Sequence, residues 1–428
     1  MNILVIGSGG REHALVWKLK HSPKLSKIYA APGNAGIAEL AETVPIGADN
    51  VEELYQFAKK SKIDLTVVGP EIPLVKGIVD LFEKNGMRIF GPTKYAAQLE
   101  GSKVFAKNFL QRHHIPTAAF VTFERSQHAA AQDYLLSHSA PVVLKADGLA
   151  AGKGAVVCQT TGDALNVLDE FFQKNTLGEA GRTVVVEEFM SGEEASVFVL
   201  SDGKDYKILP AAQDHKQIFD GDKGKNTGGM GAYAPAPVVT APLLKRIEKE
   251  IIRPTLDGMR ADGKPYKGCL YVGLMITSVG PKVVEFNCRF GDPEAQAVLP
   301  LIESDLLDVL YAAASGTIGS IKLRLHKASA VCVVMASRGY PDAYETGKKI
   351  TGLELFRAED GLVVFHAGTK RENGRLLTSG GRVLGVTAVG YGDDLAGTIN
   401  AAYGAVKQIS FDGAYYRSDI GVKGLKKR

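Results

Sequence analysis

The chain has 428 residues, 45% apolar and 23% charged, and a formal net charge of +4 from 51 basic and 47 acidic side chains. Those are the proportions of an average globular protein, so a disordered or fibrous chain is excluded. The charges are mixed along the sequence without a basic run interleaved with aromatics, which argues against a nucleic-acid platform, and at about 100 to 200 residues per domain the length predicts two to four domains, with three as the working number.

The first hundred residues alternate short apolar runs with helical stretches. Ile3–Ile6, Ile28–Ala30, Leu65–Val68 and Ile89–Phe90 are predicted strands, and the rhythm predicts βα units on a parallel sheet. Each run ends in a glycine or proline turn: Gly7-Ser8-Gly9-Gly10, Pro32-Gly33-Asn34, Gly69-Pro70-Glu71 and Gly91-Pro92-Thr93. Ligands of such sheets bind at these carboxyl ends. A helix over 102–112 leads through Ile115-Pro116-Thr117 into a second region, with strands expected at Val142–Lys145, Val184–Glu187, Tyr271–Ile276 and Val283–Arg289. Beyond about residue 316, Ala330–Met335, Val363–Phe365 and Arg382–Val386 predict strands of a smaller α+β unit. Cys158, Cys269, Cys288 and Cys332 are too scattered for a disulfide framework or a zinc site. No signal peptide or apolar span is evident, so the cytoplasm is the expected location, with no membrane partner.

The clearest chemistry lies in the strand ending Glu285-Phe286-Asn287-Cys288-Arg289. Alternation puts Glu285, Asn287 and Arg289 on one face and Val284, Phe286 and Cys288 on the other. A carboxylate and an amide oxygen two residues apart suit Mg²⁺, which takes few protein oxygens and completes its shell with phosphates and water. Arg289 can grip a carboxylate or phosphate through two parallel hydrogen bonds. A solvated edge strand would alternate in the same way, but Gly291-Asp292-Pro293-Glu294 adds acids at a sharp turn and favours a site. Lys145-Ala146-Asp147-Gly148 through Gly152-Lys153-Gly154 is a strand-end lysine followed by a glycine loop that phosphates can approach, although it lacks the Walker spacing. Glu187-Glu188-Phe189-Met190 with Glu193-Glu194 forms an acidic hinge. The segment 213–233, with Asp214-His215-Lys216 and Asn226-Thr227-Gly228-Gly229-Met230-Gly231, reads as a mobile polar loop able to close over a substrate.

A nicotinamide enzyme is the main rival. Gly7 and Gly9 supply two glycines of a dinucleotide fingerprint, but Glu12 stands where the third small residue belongs, and no acid closes the second strand. Exposed amides beside Arg11 still suit a small phosphate ester. A regulatory nucleotide-binding protein is the other rival, and it would have no need of Arg289 or Asp214.

Together these segments resemble the phosphoribosylamine–glycine ligase (glycinamide ribonucleotide synthetase) family of ATP-grasp enzymes, nearly end to end. The resemblance rests on Gly7–Ala14, Pro32–Gly36, Lys145–Gly154, Gln213–Lys216, Asn226–Gly231 and Glu285–Glu294. It implies an α/β and α+β architecture: a Rossmann-like parallel-sheet domain over 1–103, an ATP-grasp domain over 104–320 with a mobile lid about 121–190, and a C-terminal domain over 321–428. It implies ATP, glycine and 5-phosphoribosylamine as substrates, Mg²⁺ or Mn²⁺ as the metal, and a monomer with room for transient contact with the preceding enzyme of purine biosynthesis. Carried over by position, Lys103, Lys145, Lys153, Gly154, Glu187, Glu188, Met190 and Glu194 would bind ATP, with Glu187 at the adenine amino group and Glu194 at the ribose. Glu285 and Asn287 would hold the metal. Arg289 and Asp214 are the expected catalytic pair, for the carboxylate and the ammonium of glycine. Gly9, Gly10, Arg11, Asn34, Glu71, Lys216 and Asp292 join them as expected substrate contacts. The preceding strand, Tyr271–Met275, offers no second acidic metal ligand.

Overall fold

The computed structural model describes residues 1–148, 154–356, 361–392 and 394–425. Strand β1 (Asn2–Gly7) is the middle of a five-stranded parallel sheet in the order Glu42–Thr43, Lys27–Pro32, β1, Leu65–Val68, Ile89–Phe90. Ile3, Leu4, Val5 and Ile6 are fully buried, as befits a central parallel strand covered on both faces. The two-residue strand Glu42–Thr43 carries no apolar run and was not predicted.

The helix Lys103–Arg112 links this sheet to the next unit. Ser102 caps it by accepting from Phe105 N at 3.0 Å and donates to Asp147 Oδ1 at 2.9 Å, which also accepts from Val104 N at 3.1 Å. One cap therefore fixes both the helix start, where Lys103 sits, and the entrance of the glycine loop after β2 (Val142–Ala146). Strand β3 (Thr183–Glu188) lies between Phe120–Glu124 and β2 in a four-stranded antiparallel sheet completed by Ala155–Cys158. The helices His128–Ser137 and Thr161–Phe172 pack on it around Phe123, Leu135, Leu168 and Phe172.

A second antiparallel sheet runs Tyr206–Ile208, β4 (Glu193–Asp202), β5 (Lys267–Thr277), β6 (Gly280–Asn287). It does not pack alone: Phe290, just after β6, lies 6.2 Å from Phe90 of the first sheet and 6.5 Å from Phe198 of β4, ring to ring. The fourth large sheet, also antiparallel, contains β7 (Ala328–Ser337), β8 (Arg382–Tyr391) and Leu362–His366, with Ala414–Tyr415 on the edge of β7. It also takes in Gly231–Ala234, paired to β7, and Gln213–Asp214 beyond it.

That pairing corrects the expectation of a free loop over 213–233. Both of its ends are strands of the C-terminal sheet, and its middle is a hairpin of Gln217–Phe219 and Lys223–Asn226 held by the tail: Arg417 donates to Gln217 O at 3.0 Å and Asp419 accepts from Gly221 N at 2.8 Å. Three of its glycines are closely packed: a Cβ on Gly228, Gly229 or Gly231 would lie 2.9 Å from Arg382 Cζ, 2.4 Å from Pro293 Cδ or 2.7 Å from Cys332 O.

Replacing Ser102 by alanine should lower the chemical-unfolding free energy by about 1 kcal/mol, the usual cost of a lost N-cap. A shift indistinguishable from zero in urea titration would mean that the Asp147 contacts alone hold the helix start.

Candidate functional site

The three antiparallel sheets and the N-terminal turns line a cavity of about 660 Å³. At one end, β2 and β3 place a chain of buried charge. Glu187 Oε1 lies 3.0 Å from Lys145 Nζ and Oε2 lies 3.1 Å from Lys107 Nζ. Lys145 also donates to Val284 O at 3.0 Å and Lys107 to Thr117 Oγ1 at 2.8 Å. Desolvation pulls the Lys107 ammonium down to about 8, against the opposing pull of Glu187. The Glu187 Oε1 contact is an ion pair without an aligned hydrogen bond, so that oxygen keeps an acceptor direction for a ligand amine. Lys103, Gly154, Glu188 and Met190 line the same end. Lys153 falls outside the described residues. Lys107 gave no signal in the sequence because it lies inside an unremarkable helix and only the fold brings it to Glu187.

In the middle, Lys216 bonds Glu194 at 2.6 Å and lies 4.0 Å from Glu285. Burial opposes both charges, but Lys216, Lys103 and Lys145 hold Glu285 below the usual carboxylate range, and Glu194, Asp214 and Glu285 hold Lys216 well above its ordinary value. β6 ends at Asn287, so Arg289 lies beyond the strand rather than within it. A bulge also breaks the expected alternation: Glu285 faces Gly273, yet Val283 faces Leu274, and the extra residue Val284 turns to the cavity while Val283 enters the core. Glu285, Asn287 and Arg289 all line the cavity nonetheless.

Arg289 is the most constrained of these. Glu100 meets Nη2 at 2.8 Å and Glu71 meets Nε at 3.3 Å, while Nη2 also reaches Asn287 Oδ1 at 3.2 Å. Burial works against this charge, and the two carboxylates raise its affinity for the proton. Glu100 itself is buried and accepts from Cys288 N at 2.7 Å. Asp214, buried in the same lining, is pushed up to about 7, first by burial and then by Glu294 and Glu194 against the pull of Lys216. Glu294 accepts from Tyr271 OH at 2.9 Å, and that oxygen accepts from Ser196 Oγ at 2.6 Å. Burial raises Glu294 as well.

The N-terminal turns behave differently from expectation. Gly9 N donates to Glu12 Oε2 at 2.6 Å, and Arg11 Nε donates to Glu12 Oε1 at 2.6 Å. A Cβ at Gly7 or Gly69 would come within 2.5 or 2.1 Å of the Glu12 side chain. The carboxylate of Glu12 thus fills the cradle in which a dinucleotide would set its pyrophosphate, which gives a physical basis for rejecting the nicotinamide reading. Asn34 donates to Ser8 O and His366 O, each at 2.8 Å, and its Oδ1 accepts from Gly36 N and Ile37 N. Neither Gly9, Gly10 nor Asn34 lines the cavity, whereas Arg11, Glu71 and Asp292 do.

A metal would find Glu285 and Asn287 oxygens on one face, and the neighbouring strand adds no second acid: Gly273 stands opposite Glu285, and among the described residues no group of three or more His, Cys, Asp or Glu is gathered for an ion. Two hard oxygens beside a cluster of lysines fit a Mg²⁺-like ion that shares its shell with phosphate, and do not fit zinc.

Family models for phosphoribosylglycinamide synthetase match the chain in order: the N domain over residues 1–100, the ATP-grasp (A) domain over 101–295 and the C domain over 330–423. The chain belongs to the phosphoribosylglycinamide synthetase family. Relatives named phosphoribosylamine–glycine ligase include those of Chlorobaculum tepidum, 51% identical with 99% of this chain and 100% of the relative covered, and Ralstonia nicotianae, 53% identical with 100% of both covered. The crystal structure of the Thermotoga maritima ligase superposes with a TM-score of 0.84 at 32% identity, over 98% of this chain and 100% of that one. The MgADP-bound biotin carboxylase domain of Hydrogenobacter thermophilus 2-oxoglutarate carboxylase, at 15% identity, matches with a TM-score of 0.73 over 97% of this chain and 91% of that one, and shares the fold. The synthetase family fold is thus ATP-grasp, with the expected parallel sheet at its N-terminus.

Glu100→Ala should reduce the unfolding free energy by about 3 kcal/mol, because it strips a buried guanidinium of one of its two carboxylates. A loss under about 0.5 kcal/mol in denaturant titration would show that Glu71 alone neutralises Arg289.

Proposed function

We propose that this chain joins glycine to 5-phosphoribosylamine, with cleavage of ATP to ADP and phosphate, and forms glycinamide ribonucleotide in purine biosynthesis. One observation supports the residue-level reading: a single cavity is lined by Lys145 paired with a buried glutamate, by the oxygens of Glu285 and Asn287, by an arginine fixed between carboxylates, and by buried Asp214. Lys103, Lys145 and the Lys153–Gly154 loop would bind the ATP phosphates. Glu187 would meet the adenine amino group, with Glu188 and Met190 beside it, and Glu194 the ribose. A divalent cation held by Glu285 and Asn287, magnesium or manganese, would offset charge on the phosphate oxygens.

Arg289 would present the carboxylate of glycine, its plane fixed by Glu71 and Glu100, while Asp214 holds the ammonium and Lys216 tethers Glu194 beside it. The carboxylate then attacks the γ-phosphorus to give glycyl phosphate and ADP. The amine of phosphoribosylamine attacks the activated carbonyl, phosphate leaves, and the amine proton is released as the amide forms. Arg11 and Asp292 would face the ribose phosphate end, with Gly9, Gly10 and Asn34 as the scaffold behind them rather than in the cavity. Closure of the unit about 121–190 would exclude water from the acyl phosphate. We extend the proposal to units over 1–103, 104–320 and 321–428, a cytoplasmic monomer, and a transient contact with the enzyme that supplies phosphoribosylamine. No helix among the described residues is long and apolar enough to cross a membrane.

Phosphate release from ATP should require glycine and phosphoribosylamine together, and Glu285→Gln should cut it by about a hundredfold with the thermal midpoint unchanged. Turnover indifferent to either substrate would refute the reading, and unfolding of the variant would make Glu285 structural.

Asp214 gives a pH signature. Its native pKa lies above its ordinary 3.8, so the charge is disfavoured by folding; its contribution to stability falls as pH rises from about 4 to about 7 and is constant above. Binding of an ammonium needs the ionised form, so kcat/KM for glycine should rise through pH 7, and Asp214→Asn should lower it and flatten that limb. A wild-type profile already flat from about pH 5.5 to 8 would exclude this role.

A further inference from the structure

Two C-terminal residues, Tyr340 and Arg382, line the cavity, and no part of the functional reading above uses them. Arg382 opens β8 at a register shift opposite Ala336. Its Nη1 donates to Gly228 O at 2.6 Å, to Asp292 O at 2.7 Å and, at 3.4 Å, to Gly229 O, and its Nη2 lies 3.2 Å from Asp292 Oδ2. One guanidinium therefore joins three segments far apart in sequence: the C-terminal sheet, the glycine-rich loop, and the turn that follows the metal strand.

The loop is shaped to this contact. A Cβ on Gly228 would lie 2.9 Å from Arg382 Cζ, and one on Gly229, where φ is +109°, would lie 2.4 Å from Pro293 Cδ. Tyr340 OH accepts from Gly228 N at 3.0 Å and adds a second anchor from the same unit. The fork of Arg382 is largely used by protein acceptors, which leaves it little capacity for a ligand. Asp292, held from one side by Arg382, bonds Gln296 on the other at 2.7 Å and lies beside the Gly9 turn. Among the described residues that line the cavity, Tyr340 and Arg382 are the two from beyond position 300, and both bond the Gly228 backbone.

We propose that Arg382 is a positioning residue that holds the Gly228–Gly229 loop against the Asp292 turn and so shapes the end of the cavity that receives the amine substrate. The assignment of that end to the amine rests on the ligase reading; the mechanical link does not.

The test uses the full chain with Arg382→Met, Arg382→Lys and Tyr340→Phe. Hydrogen exchange without ligands should speed up by about tenfold or more at the amides of 227–231 in Arg382→Met, and less in the other two, with strand 183–188 unchanged. In turnover, kcat/KM for phosphoribosylamine should fall about a hundredfold in Arg382→Met and recover in part in Arg382→Lys, while ATP affinity by calorimetry stays within about twofold of wild type. Unchanged loop exchange in all three variants overturns the proposal whatever the enzyme catalyses. So does a parallel loss of ATP affinity, or exchange that rises throughout Arg382→Met with no loop effect in Tyr340→Phe. Loop-limited exchange in a chain without ligase turnover supports the link and counts against the ligase reading alone.

Discussion

A guanidinium taken out of bulk water must be met by fixed negative charge, and Arg289 obtains it from outside its own segment. Glu71 opens the short helix after Leu65–Val68 of the first sheet, and Glu100 comes from a short helix after the last strand of that sheet; Asn287, two residues upstream, adds only a neutral amide acceptor. Removing one member of a buried ionic set costs several kcal/mol, far more than an exposed pair contributes. The arrangement therefore fixes how the first unit sits on the central sheet as firmly as it fixes the arginine. The Phe90, Phe290 and Phe198 contacts next to it add non-polar burial, but they have no directional preference of comparable strength.

The same alternation of sign continues through the cavity. Lys216 stands between Glu194 and Glu285, and Glu187 stands between Lys107 and Lys145. Each of these charges is offset by a neighbour, so the polyphosphate proposed to bind here would meet ammonium groups that are already oriented. Preorganisation of that kind is how a protein stabilises a charged transition state without the reorganisation that water would require. Asp214 and Glu294 are the exception: two acids face each other with burial raising both, and the pair is the part of the cavity whose charge state a cationic ligand would change most.

Much of this was legible in the sequence, for reasons that can be located. Short apolar runs such as Ile3–Ile6, each closed by a glycine or proline turn and alternating with helical stretches, point to buried parallel strands, and the polar positions 285, 287 and 289 survive as cavity residues because the neighbours at 286 and 288 are core residues. What was not legible depends on contacts between distant segments. A bulge at Val284 is set by pairing with β5, not by local composition. Glu12 read only as the wrong residue for a glycine, when its side chain is the occupant of the turn. Lys107, Glu100 and Arg382 carry no local signature, since each acquires its partner from a different part of the chain. The segment 213–233 misled most: glycine and asparagine are common in mobile loops, and equally in backbones squeezed between neighbours.

That last segment has a consequence for how the molecule can be divided. Gly231–Ala234 supplies hydrogen bonds to β7, and Gln213–Asp214 is the outer strand of the same sheet. The chain leaves the central unit, completes a sheet whose other strands are still a hundred residues away, and returns. A break placed between the second and third units would strand a ladder of unpaired amides on each fragment, with buried Ala232, Tyr233 and Ala234 along one raw edge. The two regions are thus separate in sequence comparison but interleaved in space, and shuffling one without the other would yield an aggregating remnant rather than a portable module.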